Sequence, residues 1–291
     1  MTQATGSEML SLAESAAFEL FRTVQTLERW RLIAHILFFI TAIISLFTTN
    51  YILYLVSVIA LITSTIAFLF RLIANHRNIL GHSLHRISML AKAYRISGDY
   101  FDVAYLLPKI PSKLHRAALK AAKSTNSSGS YTSPTSEPGA ELLRWMIQEN
   151  AYFNAALYDA CADRALRNLF IFTIFFLLLV LLIIPITDGA IEYMTLRIIL
   201  VILSLAVLYE QVERWAAWRF ASRVMRDLEN ELARFKTVPE HRILLLFSNY
   251  QVVICSTPEI DKTVYEDNRK KLNSGWQQRE ATLHKEWANG A

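Results

Sequence analysis

Residues 32–70 contain no Asp, Glu, Lys or Arg, and Arg31 and Arg71 bracket the run. No other feature limits the possible folds as tightly. A membrane-crossing helix needs roughly 20 apolar residues, so the run is long enough for two. Thr48-Thr49-Asn50 is its one sustained polar break, which predicts a tight turn between helices at 32–47 and 51–70. A second apolar pair follows at 169–186 and 194–209. Hydrocarbon offers the backbone no hydrogen-bond partners, so such segments must be helical. The expected fold is an all-α membrane protein with two transmembrane helical hairpins, four spans in all. Their helical extensions are expected to form a cytoplasmic bundle, joined by a small C-terminal cytoplasmic region.

The 291 residues carry a net charge of +5. On a soluble chain that balance would point to nucleic acid. Here the excess of cations at cytoplasmic helix ends accounts for it, and no nucleic-acid partner is expected. Arg22, Arg29 and Arg31 precede the first span, and Arg71 and Arg77 follow the second. Arg164 and Arg167 precede the third, and Arg214, Arg219 and Arg223 follow the fourth. The reverse loops, 48–50 and 187–193, hold no Lys or Arg. Both termini and the central region are therefore expected in the cytoplasm, with the chain multi-pass in the membrane. Residues 1–31 have no signal-peptide core, so the first span is expected to remain as an anchor. Cys161 and Cys255 fall in expected cytoplasmic segments, where a disulfide is not expected.

Periodicity divides the rest. Residues 1–31 read as a cytoplasmic amphipathic helix, with Leu10, Ala13, Ala17, Leu20, Val24 and Leu27 at spacings of three and four. The first hairpin is 32–70. The region 71–123 carries a second stripe, Ile73, Leu80, Leu84, Ile87, Ala91 and Tyr94, ending near Gly98, then a short basic helix over 112–123. Residues 124–139 are rich in Ser, Thr, Gly and Pro and read as a flexible linker. A cytoplasmic helix over 140–168, marked by Leu143, Met146, Phe153 and Leu157, feeds the second hairpin at 169–209. Residues 210–236 continue as a cytoplasmic helix, and 237–291 form the C-terminal region. There Thr257-Pro258-Glu259 reads as a helix start, with N-cap, Pro and acid in order.

Chemistry is sparse. The sequence has no Gly-rich phosphate loop, no His-Glu-x-x-His and no Gly-x-Ser-x-Gly, so neither an enzyme nor a cofactor is expected. His76, His82 and His85 lack further ligands at a telling spacing and read as solvated helix residues rather than a metal site. Asp159 and Asp163 read as surface charges facing Arg164 or Arg167. His35 is expected at the membrane interface, and Arg197, the one formal charge inside a span, is expected to snorkel outward. Within the spans, Thr41 and Ser45 share one face, and Ser57, Ala60, Ser64 and Ala67 share another. Small residues of this kind form packing seams between membrane helices. The other reading is a pore wall built by several chains, with Thr41, Ser45, Ser57 and Ser64 as candidate lining and a homo-oligomer as its corollary.

Two cytoplasmic motifs carry a resemblance. One is Gln148-Glu149-Asn150-x-x-Phe153 ahead of the third span. The other is Ser256-Thr257-Pro258-Glu259-Ile260, followed by Val264-Tyr265, Arg269, Leu272-Asn273 and Trp276. With the paired hairpins, the chain resembles the SMODS-associated four-transmembrane effectors, bacterial membrane proteins encoded beside cyclic-oligonucleotide synthases in antiphage defence. That family is expected to carry a Gln-Glu…Phe-Asp stretch after the second span; here the corresponding stretch is Gly98-Asp99-Tyr100-Phe101-Asp102. The resemblance implies a pore-forming effector of the bacterial inner membrane, with a cyclic nucleotide as candidate messenger. Gln148, Asn150, Ser256, Tyr265, Arg269 and Trp276 are the candidate sensor residues it implies. The rival expectation is a membrane-anchored scaffold whose cytoplasmic bundle docks partners.

The charge bias generates a topology test. Reporter fusions at Asn50 and Asp188 are expected to read as external, and fusions at Ser128 and Ala291 as cytoplasmic. An external signal at Ser128 would rule out paired hairpins.

Overall fold

The computed structural model describes residues 6–48, 50–96, 103–124, 138–183, 191–234 and 237–289. Every element among them is helical. Helices α1 (Gly6–Leu46) and α2 (Asn50–Tyr94) lead into a short α3 (Val103–Leu106), a 3-10 turn (Leu107–Lys109) and α4 (Ser112–Ser124). A second long pair follows, α5 (Ala140–Ile183) and α6 (Ile191–Arg234), and α7 (Glu240–Ser256) and α8 (Lys262–Asn289) complete the chain. Each long helix joins a stretch of mixed polarity to an apolar one without interruption, α1 and α5 entering the apolar stretch and α2 and α6 leaving it. The 44 residues of α5 extend about 66 Å at 1.5 Å per residue.

The chain divides into two compact units. One comprises Met1–Val24, His76–Ala160 and Trp218–Ala291; the other comprises Gln25–Asn75 and Cys161–Ala217. The first unit holds much of the expected helical extensions together with α3, α4, α7 and α8, whereas residues 25–31, 71–75, 161–168 and 210–217 belong to the other. The seams read from the sequence are buried there: Ala13 and Leu20 of α1, Leu84 and Ile87 of α2, joined by Val103, Ile110 and Ala118. Helix α8 docks on α5 through rings, with Tyr152 and Trp276 centred 5.4 Å apart and Trp145 stacked on His284 at 5.5 Å. Arg144 of α5 is fully buried and donates to the Leu232 carbonyl at 2.9 Å. That carbonyl belongs to the last turn of α6, where the helix itself supplies no partner.

Helix α2 ends before Gly98, on a residue without glycine's freedom. Arg95 takes φ 51°, and the Ile96 N–H reaches back to the Ala91 carbonyl at 3.1 Å, the left-handed closure of a helix C-terminus. Gly139, at φ 139°, donates its N–H to the Ala93 carbonyl at 2.7 Å and accepts from Leu143 at 3.2 Å as α5 begins. A side chain at 139 would be strained at that φ. Near the C-terminus the expected helix start is displaced. Residues 243–247 and 251–255, two short apolar runs, belong to one helix, α7, and α8 starts at Lys262 rather than beside Pro258.

The other unit has an aromatic core. Phe38, Phe39, Ala60, Phe172, Leu200 and Val207 pack together, with Phe39 stacked on Phe172 at 5.3 Å. Its outer surface is apolar on all four helices, where Ile40, Leu61, Leu178 and Ile202 are exposed. Among the described residues one helix, Tyr51–Tyr94, is long and apolar enough to cross a membrane, and only 17% of its most apolar window is buried. The linker at 125–137, residues 97–102, the loop at 184–190, Thr49 and the side chain of Arg197 lie outside the described residues.

Gly81 separates helix propensity from packing. A Cβ built there would stand 2.8 Å from Phe21 Cε1, and the Phe21 ring already leans on His82 at 4.8 Å. Propensity alone favours Gly81→Ala by about 1 kcal/mol. Overpacking costs about 1–3 kcal/mol. The variant is expected to unfold at a lower temperature than the wild type by circular dichroism; a higher midpoint would mean that Phe21 yields.

Candidate functional site

Each unit contains a concentration of buried polar chemistry among the described residues. In the unit of Gln25–Asn75 and Cys161–Ala217, Glu28, Arg31 and His35 lie along α1, Glu210, Glu213 and Arg214 along α6, and Arg71 on α2. Arg31 donates to Glu28 at 3.0 and 3.1 Å and pairs with Glu210. Arg214 reaches Glu28 at 2.8 Å, His35 Nε2 stands 3.8 Å from Glu210, and Arg71 meets Glu213 at 2.7 Å. The Arg31 side chain is 5% exposed and that of Glu210 12%. Two carboxylates thus face two guanidiniums with little water between them. Burial pushes the Glu28 carboxyl up, but Arg214 and Arg31 together outweigh it and hold it below the usual range. At Glu210 burial wins over the same cations and the carboxyl is raised. Such a cluster holds three helices in one arrangement, because removing one partner of a buried pair costs about 3–5 kcal/mol.

By sequence alone Arg31 and Arg214 are orientation signals and His35 an interfacial residue, and Glu28 and Glu210 have no role. A signal was present: Glu28-x-x-Arg31-x-x-x-His35 and Glu210-x-x-x-Arg214 each align on one helical face at the edge of an apolar run. What pairs the two faces is packing between distant helices.

The second concentration is the α7–α8 joint, in the helical unit. Thr257 precedes Pro258, and a residue before proline is driven out of the helical region. Thr257 accordingly takes φ −92°, ψ 139°, and α7 stops. Its N–H and hydroxyl both donate to the Val253 carbonyl, at 3.1 and 2.6 Å, and so finish the helix. The extended joint then lies against two other helices. Trp218 Nε1 donates to the Pro258 carbonyl at 3.0 Å, and Asn78 donates to the Thr257 carbonyl at 3.4 Å. His82 Nε2 stands 3.9 Å from Glu259. Asp261 begins α8 by accepting from the Thr263 N–H at 2.9 Å and hydroxyl at 2.8 Å. The helix start read at Thr257 is therefore a helix stop, and Asp261 is the cap. Burial raises the Glu259 carboxyl to about 7 and lowers His82 to about 3, so the pair favours a protonated acid beside a neutral imidazole. His82, expected to be solvated, is buried.

The other expected site residues scatter. Thr41 donates to its own helix at Leu37 and Phe38, and fully buried Ser45 donates to Ala42 at 2.6 Å. Ser57 and Ser64 are half-buried beside Ala60 and Ala67, which are buried. Gln148 is fully buried with neither amide atom partnered, and Trp276 is buried against Tyr152. Asn150 donates to the Met146 carbonyl at 2.8 Å. Tyr265 and Arg269 are exposed, and Ser256, next to the joint, donates to Val253 at 3.0 Å. Asp159 pairs with Arg219 of α6, a partner the sequence reading did not consider. Comparison of the chain with protein-family models, curated proteins and solved structures finds no match.

Protonation at the joint gives a pH test. Glu259 takes up a proton more readily folded than unfolded, so its share of stability is full below about pH 4.5 and lost as pH rises through about 7. His82 contributes in the opposite sense, fully above about 6.5 and less as pH falls toward 3. In Glu259→Gln the His82 contribution remains and that of Glu259 is gone. The melting temperature of the variant minus that of the wild type is expected to climb between pH 5 and 8. A difference independent of pH would mean that Glu259 is solvated and ionised throughout.

Proposed function

We propose that the chain is a non-enzymatic membrane effector. It crosses the bacterial cytoplasmic membrane four times with both termini inside, and it forms a membrane-disrupting pore as a homo-oligomer when its cytoplasmic helical unit receives a signal. The observation that carries this reading is the apolar, outward-facing surface on all four helices of the aromatic-cored unit. Exposed Ile, Leu and Phe on every side of a four-helix unit are compatible with lipid and costly in water. The resemblance supplies the rest: a role in antiphage defence and a cyclic nucleotide as messenger. The ionic cluster of Glu28, Arg31, Glu210 and Arg214 supports a switch, because a buried network of pairs favours discrete arrangements over gradual deformation. A messenger shifts such an equilibrium only through its difference in affinity for the two arrangements.

The test is induced expression with a membrane-potential dye, together with immunoblotting of the membrane fraction. Depolarisation is expected when the chain is co-expressed with a cyclic-oligonucleotide synthase. Ser57→Leu with Ser64→Leu is expected to leave the protein abundant but silent, since an apolar constriction dewets a narrow passage. If those serines only pack helices together, leucine should deplete the protein instead. An abundant and fully depolarising double variant removes α2 from the pore, and an unchanged potential in all strains favours a scaffold.

A further inference from the structure

A cavity of about 700 Å³ opens where α4 begins, within the usual size of small-molecule sites. Met9 of α1 lines one side, and residues between Leu107 and Arg116 line the rest. Two prolines shape it. Pro108 lies within the 3-10 turn at Leu107–Lys109, and Pro111 drives Ile110 out of the helical region, to φ −77°, ψ 131°. The chain therefore extends for a step before α4 starts at Ser112. Leu114 and Ala118 of α4 pack into the core. Ser112, His115 and Arg116, three and four residues apart, share a different face and line the cavity. The surface presented to the cavity is nonetheless almost wholly apolar.

Charge at this place has one sign. Residues 103–124 hold no Asp or Glu, and Lys109, Lys113, Arg116 and Lys120 are exposed. Arg116 Nε returns to its own helix at the Ser112 carbonyl, 3.4 Å away, and among the described residues no carboxylate pairs with it. An apolar hollow in a cationic segment fits a ligand with an apolar body and an anionic end. A peptide would bring backbone N–H and C=O groups to walls that cannot satisfy them, whereas an alkyl chain brings none. A lipid with two acyl chains would leave one of them in water. We propose that this cavity binds a long-chain fatty acid, with the alkyl chain against Met9, Leu107 and Ile110 and the carboxylate held by Arg116, whose fork of N–H donors matches it. The site needs neither the pore nor the messenger of the reading above.

The test uses full-length protein in phosphatidylcholine nanodiscs, irradiated with a palmitic acid that carries a diazirine at its chain end. Labelled residues are located by mass spectrometry. The probe also dissolves in the bilayer, so labelling within 32–70 gives the background. Saturable labelling of Met9 and of residues 107–116 is expected, displaced by unlabelled palmitate. Hexadecanol with the same diazirine is expected to label the background equally and the cavity about fivefold less. Arg116→Ala is expected to raise the half-labelling concentration about two- to fivefold, the range of an exposed ion pair. Met9→Trp fills the cavity and is expected to cut its labelling about tenfold with the background unchanged, circular dichroism showing that the variant folds. The alcohol probe and Arg116→Ala, at an exposed position, test the site without disturbing the core. Label confined to the background, equal label from acid and alcohol, or equal label in folded Met9→Trp overturns the site. Loss of the label in phosphatidylglycerol nanodiscs overturns it too, because the occupant is then a two-chain membrane lipid.

Discussion

The fold depends on four backbone ladders that never break. Each long helix satisfies its own N–H and C=O groups across both a mixed-polarity and an apolar stretch, and no proline or glycine interrupts α1, α5 or α6 between Leu10 and Arg234 within the helical segments. With the backbone settled locally, side chains alone decide what each stretch faces. Outward-facing isoleucines and leucines need lipid or a partner; inward-facing alanines and phenylalanines pack on one another. Their length goes with this continuity: the four long helices run 41 to 45 residues, about three to four times the usual length.

Against that background the buried polar groups are the costly features, and their cost gives them leverage. The Glu28–Arg31–Glu210–Arg214 cluster withdraws four charges from water and recovers the loss only while all four keep their geometry. The joint between α7 and α8 works with neutral groups instead. Glu259 and His82 are both held away from their charged forms, and backbone carbonyls of the joint accept from Trp218 and Asn78. One site is built on paired charge and the other on an acid and an imidazole that burial shifts toward their neutral forms. Gln148 and Gln251, whose buried amides find no partner among the described residues, are a third kind of buried polar group.

The sequence by itself determined that the chain is helical, where its long helices run and which residues form their seams. Ala13, Leu20, Leu84, Leu143 and Met146 are buried as their three-and-four spacing required, since that period fixes one face of any helix wherever it packs, whereas Ile73, read into the stripe of Leu84, is exposed. Local rules failed where two elements compete for the same residues. Thr257-Pro258-Glu259 satisfies the rules for a helix start, yet the restriction that proline places on Thr257 also ends α7, and only the docking of Thr257 and Pro258 on Asn78 and Trp218 decided between them. The candidate sites were less legible than the fold. The resemblance marks Gln148 and Trp276, both of which are buried, and the sequence could not pair Glu28 with Arg214 or bring His82 to Glu259. Those partners lie far apart along the chain, and periodicity fixes a residue's face while leaving open which distant face it meets. That choice belongs to tertiary packing, and so do the protonation states that follow from it.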